Sequence, residues 1–471
     1  MRIQKISIKK FKNLIDFDCS FYGSSTVAFI GNNGSGKSNL LETITRAFSN
    51  AQNYACGKPL PLIYHGEELD LQECVIEYSV SDINYTLKYN CGMEKLFSSI
   101  DADYSKPIRE KIEIFRNDEK LSKTDFSSAL PETVLLYYAG ETQRQKGIAE
   151  STYDSFYEER LKRSKTSDLP RLRFLDYYNT DDLTLLLATA SAYKGDYYQK
   201  ILKLLDCTEI TPKFSLILKE PPKGKGAPDT YWGATGFVKH FLEVLRKYVS
   251  GTRDLGHQYF MFFNDPDFLK SVSENELDLF SRFKALKHYG YLDHIGIEFK
   301  KSNGAKFSSL RLSEGEKQLV LLYLLTAFTA SSNCLYIFDE FDSYLHLNWQ
   351  RQISKMLNAS QVNGQIIFTT HSPATISKIK SEELYLMKNG QVLYPESETF
   401  NRALDEIMVE QMGITMRDPV VEKLYDQFKQ SIADENKEKA ELIVERLKEF
   451  LDVDDPLFIK MRIVLRRLYN A

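Results

Sequence analysis

Residues 28–44 read AFIGNNGSGKSNLLETI. A β-rich apolar run, Thr26 to Ile30, stops at Gly31, and an apolar helical face (Leu40, Leu41, Ile44, Phe48) begins after Ser38. Between them, Gly31-Asn32-Asn33-Gly34-Ser35-Gly36-Lys37-Ser38 fits GxxxxGK[ST] in full. Glycines let the backbone curl until successive N–H groups face inward at phosphate oxygens, and the helix start adds its positive end. Lys37 is placed to meet the β- and γ-phosphates of ATP and the Ser38 hydroxyl to ligate Mg²⁺. Asn32, Asn33, Gly34, Ser35, Gly36 and Asn39 complete the candidate nucleotide-binding set. A plain glycine turn is the alternative, but both flanks carry the strand and helix that a phosphate cradle requires.

What narrows the class lies far downstream. CLYIFDEFD (Cys334 to Asp342) is an apolar run closing on Asp339-Glu340. A buried strand delivering an Asp to Mg²⁺ and a Glu to the attacking water suits NTP hydrolysis. Upstream, Leu312-Ser313-Glu314-Gly315-Glu316 precedes a strongly apolar helix. Downstream, GQIIFTTHSPATI ends a second apolar strand at Thr369-Thr370-His371-Ser372.

In that order these motifs resemble the ABC-type ATPase heads of the SMC and RecF kind. The resemblance implies that Ser313, Glu314, Gly315 and Glu316 form a signature acting on the nucleotide of a second copy. It implies that Glu340 is the catalytic base and His371 the switch histidine. In the KKFKNL stretch, Lys12 or Asn13 matches a basic turn that touches phosphate or base. The family's Q-loop follows a buried strand, here VLLYYAGETQRQK. Gln143 is taken as its catalytic and metal-binding glutamine, beside Ser38 and Asp339, with Gln145 as the competitor. The family's LHP after the D-loop reads Leu345-His346-Leu347 here, so the proline is lost, and Asp342 and Ser343 carry over weakly as dimer contacts.

The expected fold is α/β: an ABC-type P-loop head with a mixed sheet and an antiparallel β subdomain, an inserted mostly helical lid and a helical C-terminal domain. The expected boundaries are 1–146 and 300–390 for the head, 147–299 for the lid and 391–471 for the tail. Alternation in ECVIEYSVSDINYTLKYN and REKIEIFRND predicts the hairpins of the subdomain. The insertion lacks the sustained heptads of a long coiled coil. Its basic cluster, RLKRSK with RLR, is interspersed with Glu158, Glu159 and Asp168, as a solvated face would be. Four amphipathic patterns follow residue 390. Asp452-Val453-Asp454 invites a metal reading, but Asp454-Asp455-Pro456 is a helix start with its cap.

Composition bounds the rest. The net charge of −4 gives no overall attraction for nucleic acid, and the six cysteines are scattered without metal spacing, as in a reducing cytoplasm. No run approaches a membrane span and the N-terminus reads as an edge strand, so no membrane partner is expected. No zinc fork, HNH cluster or Toprim carboxylate set is evident, which implies a separate effector. The compact lid and short tail resemble stand-alone ATPases of bacterial antiphage defence, most of all the Septu ATPase. PARIS-type and retron-linked ATPases have similar heads. The resemblance implies a homo-oligomer (dimer or ring of dimers) controlling a nuclease subunit, HNH type first and Toprim type second, with nucleic acid met through the partner or the lid. The competing function is a RecF- or SMC-like DNA-repair ATPase that clamps DNA on binding ATP.

Overall fold

Thr26–Ile30 is buried at every position, as a strand covered on both faces must be. It lies inside a seven-stranded sheet whose order is Gln391–Leu393, Leu384–Lys388, Thr26–Ile30, Gln365–Thr369, Cys334–Asp339, Thr133–Tyr138, Leu175–Tyr178. Neighbours run parallel except the first pair. Thr369 stands opposite Phe29, and Phe338 opposite Phe368. Three strands therefore end at one edge and release Gly31, Thr370-His371 and Glu340 side by side. The carboxyl edge of such a sheet is where ligands bind.

The computed structural model describes residues 1–58, 73–90, 111–140, 144–164, 170–222, 224–359, 362–395, 398–410, 417–452 and 454–469. Two compact units result, Met1–Asn401 and Arg402–Ala471.

In the first unit a six-stranded antiparallel sheet, ordered Leu14–Ser20, Arg2–Phe11, Glu73–Val80, Ile83–Asn90, Lys111–Arg116, Glu119–Lys120, faces the central sheet. Its tight turns, Ser81-Asp82 and Asn117-Asp118, have positive φ at both residues, which matches the twist of a two-residue hairpin. Helix Lys37–Ala55 is clamped between the sheets. Its Ile44 and Phe48 share one core with Ile6, Tyr78 and Leu87 of one sheet and Val134 and Ile337 of the other. This is the ABC-type head.

The 147–299 interval carries a sheet beside its helices. Leu175–Tyr178 joins the central sheet through Thr133–Tyr138. Gly251–Asp254, Gln258–Phe263, Phe214–Lys219 and Leu292–Gly296 form a four-stranded antiparallel sheet in that order. Gln258–Phe263 alternates buried and more exposed positions, the pattern of a half-covered sheet. Helices Leu183–Tyr193, Asp196–Leu204, Gly236–Arg246 and Glu276–His288 accompany it.

The head also extends beyond residue 390. Gln391–Leu393 pairs into the central sheet, and Asn401 N and Thr399 Oγ1 donate to the carbonyls of Ser377 and Ile379. These bonds tie the chain down until Asn401, so the second unit starts about ten residues later than composition alone suggests.

Within Arg402–Ala471, helices Pro419–Ala433, Lys437–Leu447 and Pro456–Tyr469 share a core that includes Leu424, Phe428, Ile443, Leu447, Phe458 and Met461. Asp455 caps the last helix through Leu457 N at 2.8 Å while holding Arg417 in a two-pronged ion pair. No helix among the described residues is long and apolar enough to cross a membrane.

The strand pair Leu384–Lys388 and Gln391–Leu393 turns at Asn389-Gly390, with φ of 52° and 76°. Gly390 N donates to the Ser35 carbonyl at 2.9 Å, and a Cβ on Gly390 would collide with the Asn13 carbonyl oxygen. Gly390→Ala should therefore cost about 2–4 kcal/mol, adding a backbone clash to the left-handed strain of roughly 1–2 kcal/mol. Gly304→Ala has similar φ (81°) and open space, so it should lose only the strain. Chemical unfolding midpoints of the two variants check this, and equal losses would refute it.

Candidate functional site

The glycine turn is built from conformations that only glycine adopts cheaply: φ is 146° at Gly31, 77° at Gly34 and 109° at Gly36. A Cβ at Gly31 would strike the Met387 carbonyl oxygen, so the turn is pressed against the neighbouring strand. Asn13 Nδ2 donates to the Gly34 carbonyl at 2.8 Å, and Asn39 Nδ2 donates to Asn13 Oδ1 at 2.8 Å. Asn13 and Asn39 thus brace the turn from outside.

Lys12, expected at phosphate or base, is engaged in an ion pair beside the turn's helix. Its Nζ pairs with the buried Glu42 carboxylate at 2.9 Å, which Arg46 also holds at 2.7 Å. A buried carboxylate needs such compensation, and the two cations keep its pKa below the ordinary range despite burial. Gln143 lies outside the described residues. Its competitor Gln145 is buried on helix Arg144–Ser151, with Oε1 unpartnered.

Lys37 lies along the turn, with Nζ donating to the carbonyls of Gly31 at 2.7 Å and Asn32 at 3.1 Å. Burial lowers its pKa to about 8, against the opposing pull of Asp339 and Glu340. Ser35 Oγ is buried without a partner. An ammonium short of anions, an orphaned hydroxyl and a curled backbone suit the charge and donor needs of a polyphosphate.

Facing Lys37, Asp339 is buried at the end of its strand. Burial raises its pKa, opposed by hydrogen bonds from Thr369 and Ser38 and by the Lys37 charge. Ser38 and Asp339 are thus in contact, the arrangement a hard divalent cation with oxygen ligands requires.

Glu340 follows with φ of 49°, a strained conformation for a non-glycine residue. Its backbone N donates to Thr369 Oγ1 at 2.8 Å, and the same hydroxyl donates to Asp339 Oδ1. One buried hydroxyl thus fixes both acidic positions.

His371, half-buried, has its pKa lowered by burial and then by Lys37, which favours the neutral imidazole. The segment around it is keyed to the loop after Glu340. Thr370 Oγ1 (2.6 Å) and Thr375 Oγ1 both donate to Asp342 Oδ2. Ser372 Oγ donates at 2.6 Å to Gln350 Oε1, whose Nε2 donates to the Asp342 carbonyl at 3.2 Å. Asp342 is therefore an internal anchor, buried with its pKa raised, rather than a residue presented to a partner. These hydroxyls were missed from sequence, although TTHSPAT at the end of an apolar strand is an unusual density of them.

Ser313 caps helix Glu314–Thr329 in a reciprocal box. Its Oγ accepts from Glu316 N at 3.3 Å, and its N–H donates to Glu316 Oε2 at 2.8 Å. Glu314 pairs with Lys317. Gly315 is where the helix meets the loop after Glu340, since a Cβ there would lie 2.9 Å from the Tyr344 carbonyl oxygen and 3.2 Å from the Trp349 ring. One turn later Gln318 Nε2 donates to the Phe341 carbonyl.

A P-loop, an Asp-Glu pair and a histidine at one sheet edge, with a capped signature helix, define an ABC-type P-loop ATPase head. Residues 2–392 match the model of the RecF/RecN/SMC N terminal domain, and the chain belongs to that family. It is 23% identical over 431 residues to the Retron Vc95 probable ATPase of Vibrio cholerae serotype O1 biovar El Tor, covering 85% of this chain and 77% of the relative. It is 26% identical over 180 residues to the Retron Ec83 probable ATPase of Escherichia coli, covering 35% of this chain and 33% of that relative. Among solved structures it is similar to the Smc head domain of Pyrococcus furiosus at 14% identity and a TM-score of 0.38, over 86% of this chain and 98% of that one.

Two outcomes follow from this geometry. Phosphates favour charged Lys37, so its pKa in the nucleotide complex must exceed the free value of about 8. ATP affinity should be flat below pH 8 and fall at higher pH by up to about tenfold per unit, with proton uptake on binding. Titration calorimetry in buffers of different ionisation enthalpy reads both, and an affinity unchanged from pH 7 to 9.5 refutes it. Thr369→Val removes the shared hydroxyl at constant shape and should lower kcat on the order of 10²-fold with the KM for ATP little changed. Thr369→Ser should keep most of kcat, and equal rates for both variants would dismiss the hydroxyl.

Proposed function

We propose that this protein is the ATP-driven switch subunit of an antiphage defence complex, pairing its heads on nucleotide and controlling a separate nuclease. The observation that carries the pairing is the placement of the signature. Ser313 and Glu314 are exposed, and their hydrogen bonds stay within their own helix start; among the described residues none goes to the chain's own P-loop. A second copy would bring that surface to the γ-phosphate.

In this reading Lys37 holds the β- and γ-phosphates, and Ser38 and Asp339 hold Mg²⁺. The cation supplies charge neutralisation at the phosphates. Glu340 takes a proton from the attacking water, its backbone pinned by Thr369. Neutral His371 has an N–H to offer the γ-phosphate and carries its position to Asp342 through Thr370. Gln143 belongs to the same set by sequence order.

Defence is supported by the similarity to two probable ATPases named for retrons. The partner is inferred as a nuclease, HNH type before Toprim type, as in a Septu-like pair. The DNA-clamp reading loses ground because two arginines of the lid's basic cluster are engaged within the fold. Arg171 pairs with buried Asp154, and buried Arg173 donates to the Thr152 carbonyl.

Mixing two inactive variants tests the composite site. Lys37→Ala lacks the P-loop cation and Ser313→Arg blocks the signature, yet a mixed pair retains one intact site. Recovery of about a quarter of the parental ATPase rate is expected from random pairing, and no recovery above either variant refutes head pairing. For the effector, the tagged protein should co-purify with the nuclease encoded beside it, and Glu340→Gln should lock that complex in one cleavage state. An adjacent product that does not bind, or cleavage indifferent to Glu340→Gln, overturns the switch.

A further inference from the structure

The second unit turns two oppositely charged ridges outward. On helix Pro456–Tyr469, Phe458 and Met461 face the core, and the opposite arc carries Lys460, Arg462, Arg466 and Arg467. At its centre, one turn apart, lie Ile459 (42% exposed) and Ile463 (46% exposed). This helix contains no carboxylate, and among the described residues none of its cations forms an ion pair; only Arg462 has a partner, the Phe458 ring at 5.9 Å.

The neighbouring helix Lys437–Leu447 is the complement. Ala440, Ile443, Val444 and Leu447 face the core. Directly outward lie Glu438, Glu441 and Glu445, with Glu449 just past the helix end, around Leu442, which is 71% exposed. Of its cations, Lys448 meets Glu445 at 2.6 Å and Lys437 meets Glu441 at 3.9 Å, while exposed Lys439 and Arg446 border Leu442 on the side away from the glutamates. Such exposed pairs on one helix are worth little and are easily exchanged.

We propose that these ridges are the two halves of a contact between two copies of this chain. The basic ridge of one copy lies on the acidic ridge of the other, with Ile459 and Ile463 against Leu442. Because both ridges stand on neighbouring helices of one unit, a twofold pair forms both contacts at once, as an isologous interface requires. A nucleic acid is the poorer occupant, since phosphates would desolvate against the two central isoleucines and the adjoining glutamates would repel them. The contact needs no nucleotide, so it goes beyond head pairing and survives if that reading fails. Together, two independent twofold faces on one chain build rings or longer assemblies rather than a single dimer.

Mass measurements on the full-length protein without nucleotide decide it. At low ionic strength the parent should be dimeric, and 0.5 M salt should weaken the dimer at least tenfold as the charges are screened. Arg462→Glu/Arg466→Glu and Glu441→Lys/Glu445→Lys should each be folded monomers by circular dichroism, since each double substitution inverts the charge at the centre of one ridge and leaves the other ridge facing a like charge. Mixing them should produce a one-to-one heterodimer, and a chain carrying all four substitutions should dimerise again. A parent that stays monomeric, variants that dimerise like the parent, or a mixture that stays monomeric overturns the proposal. Head pairing is read separately, as mass gained only when ATP is added.

Discussion

A turn that keeps most of its N–H groups for a ligand can do little to close on itself: within it Ser35 N donates to the Asn32 carbonyl at 3.1 Å, and its glycine φ angles are those the backbone resists. It persists only when the rest of the fold holds it open. Asn13 takes the Gly34 carbonyl, Gly390 N takes the Ser35 carbonyl, and Lys37 takes those of Gly31 and Asn32. These supports come from the hairpin after Phe11, the far edge of the central sheet and the turn's own lysine. Residues separated by more than 300 positions must dock before the cradle exists, so the site is a property of the assembled head rather than of its motif.

The opposite wall obeys the same logic with hydroxyls in place of amides. Asp339 and Asp342 are buried carboxylates, and burial alone would drive them towards the neutral form. Thr369, Thr370, Thr375 and Ser38 return part of that energy as donors. In doing so they lock the histidine segment to the acidic strand and to the loop that packs on Gly315. A displacement of His371 must therefore disturb Asp342, and through the Phe341 carbonyl it reaches Gln318 on the signature helix. The carboxyl edge of the central sheet and the helix that Ser313 caps are thus joined through two hydrogen bonds and the Phe341–Asp342 backbone between them.

Sequence carried most of this where spacing encodes the geometry. GNNGSGKS, IFDE and LSEGE announce their turn, strand end and helix cap because each local conformation needs those residue types. The SVSDIN and RNDEK turns were equally legible as hairpins. Sequence failed where partners are distant. Nothing local shows that Lys12 must neutralise Glu42, that Asn13 and Asn39 brace Gly34, or that Asp342 faces inward. Asn389-Gly390 was a readable hairpin signal that was passed over, and it moves the head's end to Asn401. In the lid, helical periods in ATGFVKHFLEVLRKYV stood out, whereas QYFMFF and YLDHIG are short and pair with strands far away, so their period was too brief to declare a sheet.

The second unit shows the limit of reading one amphipathic stripe. The sequence PLFIKMRIVLRRLY carries one apolar side at helical spacing. In the structure, Phe458 and Met461 are consumed by the unit's own small core. A unit of this size must spend its best apolar face on itself, since small domains bury a modest fraction of their surface. What remains for recognition is the opposite face, where two isoleucines are left among arginines. Exposed isoleucines contribute nothing to that core, and repulsion among the four cations of one helix works against it. A surface that lowers the stability of the isolated unit is best explained by a complementary surface, and the same chain displays one on the adjacent helix.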